Sequence, residues 1–337
     1  MVLVTGGTGM VGAHLLVKLL KNKDCKLRAT YRSKEALKKV LKVFSYYFED
    51  PKLFISKIEW VQCDIRSVYD VDQAIQGIEY VYHIAGYISF DPAYKKTLSD
   101  VNTIGTRNIV NACLALGVTK LCYVSSIATI SQLSNSSSFT ELDGFNFDLE
   151  KSEYALSKYY AELEVWRGVE EGLSAVIVNP GVVLGPGFWD ENTGKFFSNT
   201  ANGNIFFTEK VTGFVGVFDV VDAMEKLINS SISGDRFILV SENKSIKDVL
   251  CKISKLLGRS EPKIRISSFA AEFLWRLSGI FSFVTGRENL FSKHTARHIN
   301  TRNVYSSSKI QKLLKFNFED IDKTITRVSE QYRADHM

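Results

Sequence analysis

The chain has 337 residues, 45% of them hydrophobic, with 42 basic and 37 acidic side chains and a formal charge of +5. It is long enough for one large domain or two intimate ones and can bury a sizeable core. The charges are spread along the sequence and no dense basic block carries interleaved aromatics, which excludes an extended nucleic-acid footprint.

Five cysteines, none in a C-x-x-C pair, suggest reduced thiols and a cytoplasmic setting. A strand entered at Val2 is expected to leave no room for a signal peptide. The most apolar late stretch, Phe269 to Val284, contains Glu272 and Arg276 and is too short to span a bilayer comfortably.

Val2 to Val4 is a short apolar strand, followed by Thr5-Gly6-Gly7-Thr8-Gly9-Met10-Val11-Gly12 and a helix over 11–21. A strand, a glycine turn and a helix are the context that a dinucleotide fingerprint requires. Absent side chains let the backbone approach a pyrophosphate, and the helix N-terminus favours its charge. The second strand, Lys26 to Tyr31, ends in Arg32 rather than in the acidic residue that holds a ribose 2′-hydroxyl, with Lys34, Lys38 and Lys39 beyond it. Cations there suit a 2′-phosphate, so NADP(H) is favoured and NAD(H) is the alternative.

A third strand, Ile58 to Gln62, leads into Asp64 and Ile65, where the carboxylate can face an adenine amino group or begin a helix cap. The fourth, Glu79 to Ile84, runs into Ala85-Gly86, small residues where the chain must pass close to a cofactor. Asn102 falls in mid-helix, where its propensity is poor, and is expected to hold an active-site water or a helix bend. The fifth strand, Lys120 to Val124, delivers Ser125 and Ser126 at its carboxyl end, the edge where open parallel sheets bind ligands. Residues 131–152 read as an irregular lid-like loop.

Tyr154 and Lys158 are four apart on the next helix and so share one face. Free tyrosine, with a pKa of about 10, is too weak a base at neutral pH, and a fixed cation nearby favours its phenolate. The pair is a candidate proton donor and acceptor. A sixth strand ends at Asn179-Pro180-Gly181, and later strands are expected near 214–218 and 237–240. The alternation to this point specifies an α/β fold with a doubly wound parallel sheet. Helices over 246–257, 268–283, 292–300, 307–314 and 321–332 make the remainder mostly helical. The helix over 268–283 has apolar residues at helical spacing and is expected to cover the substrate pocket or form a subunit contact, as in a homodimer; binding at a membrane surface is the alternative. His294 and His298 have a metal-compatible spacing, but basic neighbours favour a solvated helix and no metal is expected.

Taken together, Thr5 to Gly12, Asp64, Ala85-Gly86, Asn102, Ser125-Ser126, Tyr154, Lys158 and Pro180-Gly181 resemble the extended short-chain dehydrogenases/reductases over nearly the whole chain. Residues 27–32 and 83–85 look most like the dihydroflavonol-reductase-like branch, which adjoins the 3β-hydroxysteroid dehydrogenases. The resemblance implies a Rossmann-type domain (1–179 plus 214–241) and a smaller substrate-binding domain (180–213 plus 242–337). It implies that Arg32 and Lys39 contact the NADP 2′-phosphate, that Asp64 lies by the adenine and Pro180-Gly181 by the nicotinamide, and that Ile65 and Val183 also line the cofactor. Ser126 would polarise the substrate carbonyl, Tyr154 would be the acid/base, and Lys158 would hold the ribose and lower the tyrosine pKa.

Departures from related branches matter too. Ser126 is followed by Ile127-Ala128-Thr129, without the Asp-Glu pair of the sugar-nucleotide dehydratases. An alcohol dehydrogenase or carbonyl reductase is therefore expected, with a sugar-nucleotide epimerase and a non-catalytic dinucleotide sensor as alternatives. Substrate selection is expected from Tyr87 to Asp91, Ile130 to Phe139, Leu184 to Phe207 and the helix near Ser268, with Tyr87, Phe90, Phe188 and Trp189 as apolar walls. That composition suits a largely apolar small molecule.

Overall fold

The computed structural model describes residues 1–21, 26–131, 138–147, 152–273, 275–276 and 293–336. Part of the lid-like loop, at 132–137 and 148–151, and half of the apolar helix expected over 268–283, at 274 and 277–283, lie outside the described residues.

In chain order the first half contains β1 (Val2–Thr5), α1 (Met10–Lys21), β2 (Leu27–Tyr31), α2 (Leu37–Phe44), α3 (Pro51–Ile55), β3 (Ile58–Gln62), α4 (Val68–Ile75), β4 (Tyr80–His83), α5 (Lys95–Leu98), α6 (Gly105–Ala115) and β5 (Lys120–Val124). A π-helical turn, Ser99–Ile104, joins α5 to α6 and holds Asn102, so the expected bend is a widened turn. The chain continues with α7 (Glu153–Glu170), β6 (Ala175–Pro180), β7 (Val182–Leu184), α8 (Lys195–Ala201), β8 (Phe206–Phe207), β9 (Val211–Gly216), α9 (Val217–Ile228), β10 (Asp235–Leu239), β11 (Glu242–Ser245), α10 (Ile246–Leu256) and β12 (Ile264–Arg265). Among the described residues, later helices at Lys293–Arg297, Ser308–Leu314 and Ile321–His336 follow.

Seven strands form one parallel sheet in the order β10-β6-β5-β4-β1-β2-β3. The order reverses between β1 and β4, so the carboxyl ends of these two strands flank the crevice where such sheets bind ligands. Burial follows position. The central β1, β5 and β6 are buried at every residue and read as near-continuous apolar runs, whereas the edge strand β3 is only half buried. Lys120 in β5 is tolerated because its ammonium donates to the carbonyls of Leu227 and Ser230.

Hydrophobic clusters fill both faces, one packing α1, α2 and α9 and the other α4, α6 and α7. Two small sheets escaped the sequence reading, β11-β9-β7 and the parallel pair β12-β8. Their strands are short or polar; β11 reads Glu-Asn-Lys-Ser and is only partly buried, so no apolar alternation announces it. β9 thus lies outside the main sheet, pairing with β7 and β11.

After α2 the chain makes a turn over 45–47 and enters α3, a segment rich in aromatic residues. Phe44 is fully buried, Phe48 stacks on Phe54, and Tyr47 donates to His14 Nδ1 at 2.9 Å. His14 Nε2–H donates in turn to the Pro186 carbonyl at 3.2 Å, so the turn after α2 and the 184–187 turn are clamped to α1. Burial pushes the His14 pKa down to about 4, which keeps this histidine neutral near pH 7.

Candidate active site

The glycine turn is built for close approach. Gly6 has φ of +70°, and a Cβ placed on it would lie 2.6 Å from the Ala85 nitrogen. A Cβ on Gly12 would meet the Gly6 carbonyl oxygen at 2.2 Å, whereas the nearest atom to one on Gly9 is 3.5 Å away. The turn is thus packed tightly behind and open in front, where Thr8 and Gly9 meet the N-terminus of α1. The first turn of that helix has no acidic residue. This cradle fits a pyrophosphate on geometry and sign of charge. Met10 and Val11 turn their side chains inward, Met10 against Gly185 and Val11 onto the core.

Thr5 fastens the cradle to β4. Its hydroxyl accepts from the Ile84 and Ala85 nitrogens at 3.2 and 3.3 Å and donates to His83 Nδ1 at 2.7 Å. His83 Nε2–H then donates to Thr106 at 3.0 Å. Burial, helped by the Lys158 charge, pushes the His83 pKa down to about 3 and keeps it neutral.

At the carboxyl ends of β2 and β3, Arg32, Gln62, Cys63, Asp64 and Asp70 line an open cavity of about 380 Å³. Its size and polarity fit a nucleoside end. Asp64 is held there by Arg66, which pairs with the carboxylate at 2.5 Å and keeps its pKa low. Ile65 packs against Gly105 at the start of α6, and its carbonyl accepts from Asn108. Arg32 is exposed at the cavity rim. Lys39, on α2, is ion-paired with Glu191 and is not among the cavity-lining residues.

The sequence leaves a choice within the serine pair, and the two hydroxyls have distinct surroundings. Ser125 is buried and donates to Glu162 Oε1 at 2.5 Å. Ser126 is half-buried, and a hydrogen bond from its hydroxyl lowers the Tyr154 pKa against the larger upward push of burial. Tyr154 sits in the first turn of α7, whose N-cap Ser152 accepts from the Ala155 nitrogen at 3.1 Å. One turn on, Lys158 donates to the Val124 carbonyl at 2.7 Å, with its ammonium 4.4 Å over the Tyr123 ring. Burial pushes its pKa down to about 7, opposed by Glu162. The expected lowering of the tyrosine by the lysine is absent from this arrangement: the ammonium is turned to β5, and the influences on Tyr154 are burial and Ser126.

Asn102 is buried and acts as a staple. Its Oδ1 accepts from the Tyr87 nitrogen at 2.8 Å, and its Nδ2 donates to the Tyr87 carbonyl at 3.0 Å and to Ser157 Oγ at 2.9 Å. It therefore fixes Ala85-Gly86-Tyr87 against α7. A Cβ on Gly86 would lie 3.2 Å from Asn102 Oδ1 and 3.9 Å from Lys158 Nζ. Phe90, half-exposed, meets the Tyr154 ring edge-on at 5.6 Å.

Phe188 and Trp189 differ from their expected role as pocket walls. Both are buried: Phe188 joins the α1–α2–α9 core, and Trp189 packs on Phe197 and Tyr332 and donates to Asp335 Oδ2 at 2.8 Å. The C-terminal helix that packs on Trp189 lies far away in sequence, so local composition could not reveal this. Gly181 follows β6 under a tight constraint, since a Cβ there would be 2.4 Å from the Gly213 carbonyl oxygen. Pro180 closes β6, and the Val183 carbonyl accepts from Thr193 at 2.7 Å.

Sequence reasoning missed Glu162. It lies eight residues after Tyr154 and four after Lys158, on the same helix face, and is 1% exposed. A carboxylate in phase with the Tyr-Lys pair was the available signal. Among the described residues, no group of three His, Cys, Asp or Glu could hold a metal ion, and no helix is long and apolar enough to cross a membrane.

Residues 2–239 match the model of the NAD dependent epimerase/dehydratase family. The chain is 30% identical over 276 residues to a protein named as a dihydroflavonol 4-reductase from Synechocystis, covering 77% of this chain and 73% of that one. It is 26% identical over 318 residues to sterol demethylase protein B of Methylococcus capsulatus, covering 93% and 92%. The fold is also that of the dTDP-glucose 4,6-dehydratase DesIV of Streptomyces venezuelae, solved with NAD bound, at a TM-score of 0.77, 17% identity and coverage of 99% and 97%. The chain belongs to the NAD dependent epimerase/dehydratase family, within the extended short-chain dehydrogenases/reductases and on their dihydroflavonol-reductase-like branch.

Proposed function

We propose that this protein is an NADP-dependent alcohol dehydrogenase or carbonyl reductase acting on a largely apolar substrate with one reactive oxygen. The observation that carries the reading is the meeting of Ser126, Tyr154 and Lys158 at the carboxyl edge of β5, with Phe90 against the tyrosine ring. A dinucleotide would lie with its pyrophosphate on Gly6 to Gly12 and its adenosine end in the cavity at Arg32 and Asp64. When bound, the nicotinamide supplies or accepts the hydride.

The chain's own residues manage the oxygen. Ser126 donates a hydrogen bond to the substrate carbonyl, and Tyr154, held protonated by burial, delivers the proton to that oxygen in the reductive direction. Lys158 places a cation beneath the site and replaces the lost proton's charge. No carboxylate follows Ser126 at 127–129, which argues against a dehydration step. The likeness over nearly the full chain to a sterol demethylase protein supports an apolar alcohol or ketone.

Panels of ketones and secondary alcohols, read by nicotinamide absorbance, test the reading. Turnover of apolar carbonyls is the expected result. Turnover confined to nucleotide sugars, or none with any carbonyl or alcohol, would overturn it.

A further inference from the structure

Glu162 is a buried carboxylate that the proposed chemistry does not use. Three donors from three elements converge on its Oε1: Ser125 Oγ at the end of β5 at 2.5 Å, Thr129 Oγ1 from the turn after Ser126 at 2.7 Å, and Asn179 Nδ2 of β6 at 2.6 Å. Its Oε2 faces the Arg236 guanidinium of β10 at 3.4 Å. Donors on one oxygen and a cation at the other suit an ionised, acceptor-only carboxylate. Asn179 Nδ2 also reaches the Ser126 carbonyl at 3.1 Å and Thr129 Oγ1 at 3.0 Å, so the network grips the turn on both sides of Ser126. Arg236 extends it to the loop above by donating to the Glu141 and Asp143 carbonyls.

The same carboxylate lies one helical turn from Lys158 in a water-poor interior, where charges interact strongly. The titratable and charged groups around Lys158 are Tyr154 and Glu162 on its own helix, Tyr123 from β5, His83 from β4 and, behind Glu162, Arg236 from β10. The 95–115 helical segment presents uncharged Asn102 and Thr106. His83 is neutral, so Glu162 is the anion among these groups.

We infer that Glu162 is a positioning residue with two linked tasks: it fixes the Ser125–Thr129 turn that aims Ser126, and it favours the charged form of Lys158 against burial. This rests on the reductase reading for its catalytic consequence but not for its charge effect. A buried opposite charge shifts a titration by roughly one unit or more. Removing it should lower the pH at which Lys158 loses its proton.

The experiment follows the Lys158 Cε signal in protein labelled with carbon-13 lysine, with Lys158→Met identifying the peak. In Glu162→Gln the Lys158 midpoint should fall by roughly one pH unit. In Ser125→Ala, where the carboxylate remains, it should stay near the wild-type value. Arg236→Gln, which removes the opposing cation, should raise it and serves as the test if Glu162→Gln does not fold. A midpoint that fails to move in the expected direction in whichever of these two charge variants folds overturns the charge role. Where the wild type turns over a carbonyl, the alkaline limb of its pH–rate profile should shift with the Glu162→Gln titration. Absence of turnover in the wild type would count against the reductase reading and leave the titration test intact.

Discussion

Lys158 donates to the carbonyl of Val124 at 2.7 Å, anchoring its ammonium to the last residue of the strand that delivers Ser125 and Ser126. The amine is desolvated, and its pKa falls to about 7 from an ordinary 10.5. Between those values the unfolded chain binds a proton that the folded chain does not. Stability at this site therefore rises with pH across that window and is lowest below about 7. Lys158→Met should remove that slope, worth up to about 1.4 kcal/mol per pH unit. Urea unfolding of both proteins between neutral and moderately alkaline pH measures it. Parallel stability profiles would show that the lysine is not desolvated as described.

Tyr154→Phe deletes only the transferable proton. Its ring contact with Phe90 at 5.6 Å and the main-chain geometry of α7 remain available. Turnover should fall by about two to four orders of magnitude while cofactor affinity changes little. Activity within a few-fold of wild type would remove Tyr154 from the mechanism.

Asn102→Ala separates positioning from chemistry. The substitution removes the buried amide that bonds the Tyr87 N–H and carbonyl, and cuts the tie to Ser157. An unsatisfied buried group costs about 1–3 kcal/mol, so the melting temperature should drop by several degrees. Loosening of the Ala85–Tyr87 segment should raise KM more than it lowers kcat. An unchanged melting temperature would mean that water replaces the amide without loss.

The parallel sheet was legible because its central strands are apolar runs bounded by glycine or polar turns, and β3 and β5 have the bounds that their composition suggests. The glycine turn and the Tyr-Lys pair were equally visible, since each is a local pattern. What stayed hidden depends on distant partners. Glu162 reads as an ordinary helical glutamate until Asn179 and Arg236 are brought to it. Trp189 reads as a pocket wall until Asp335 of the C-terminal helix takes its indole N–H. Lys39 reads as a phosphate ligand until Glu191 pairs with it.

That last pair bears on cofactor choice. Arg32 lies at the rim of the β2–β3 cavity, while Lys39 must leave Glu191 to reach a 2′-phosphate. NADP should bind more tightly than NAD, and Arg32→Ala should narrow the gap, since a charge-assisted contact is worth about 1.5–3 kcal/mol. Glu191→Gln should widen it by freeing Lys39. Calorimetric titration of both cofactors decides, and equal affinities in the wild type would sink the NADP assignment.

Substrate selection should depend on Phe90 more than on Phe188. Phe90 is 47% exposed and edge-on to Tyr154, so its free face is available to whatever the phenol serves; Phe188 is 5% exposed and already packed in the core. Burying a large apolar side chain against a ligand contributes about 1.5–3 kcal/mol, or roughly 10- to 150-fold in binding. Phe90→Ala should therefore lower kcat/KM by about that factor for bulky apolar ketones and far less for a short-chain ketone that does not reach the ring. Phe188→Leu should cost stability, seen as a lower melting temperature, with the ratio between bulky and small substrates unchanged. An equal loss on both substrates in Phe90→Ala would mean that the ring supports Tyr154 rather than reading the substrate.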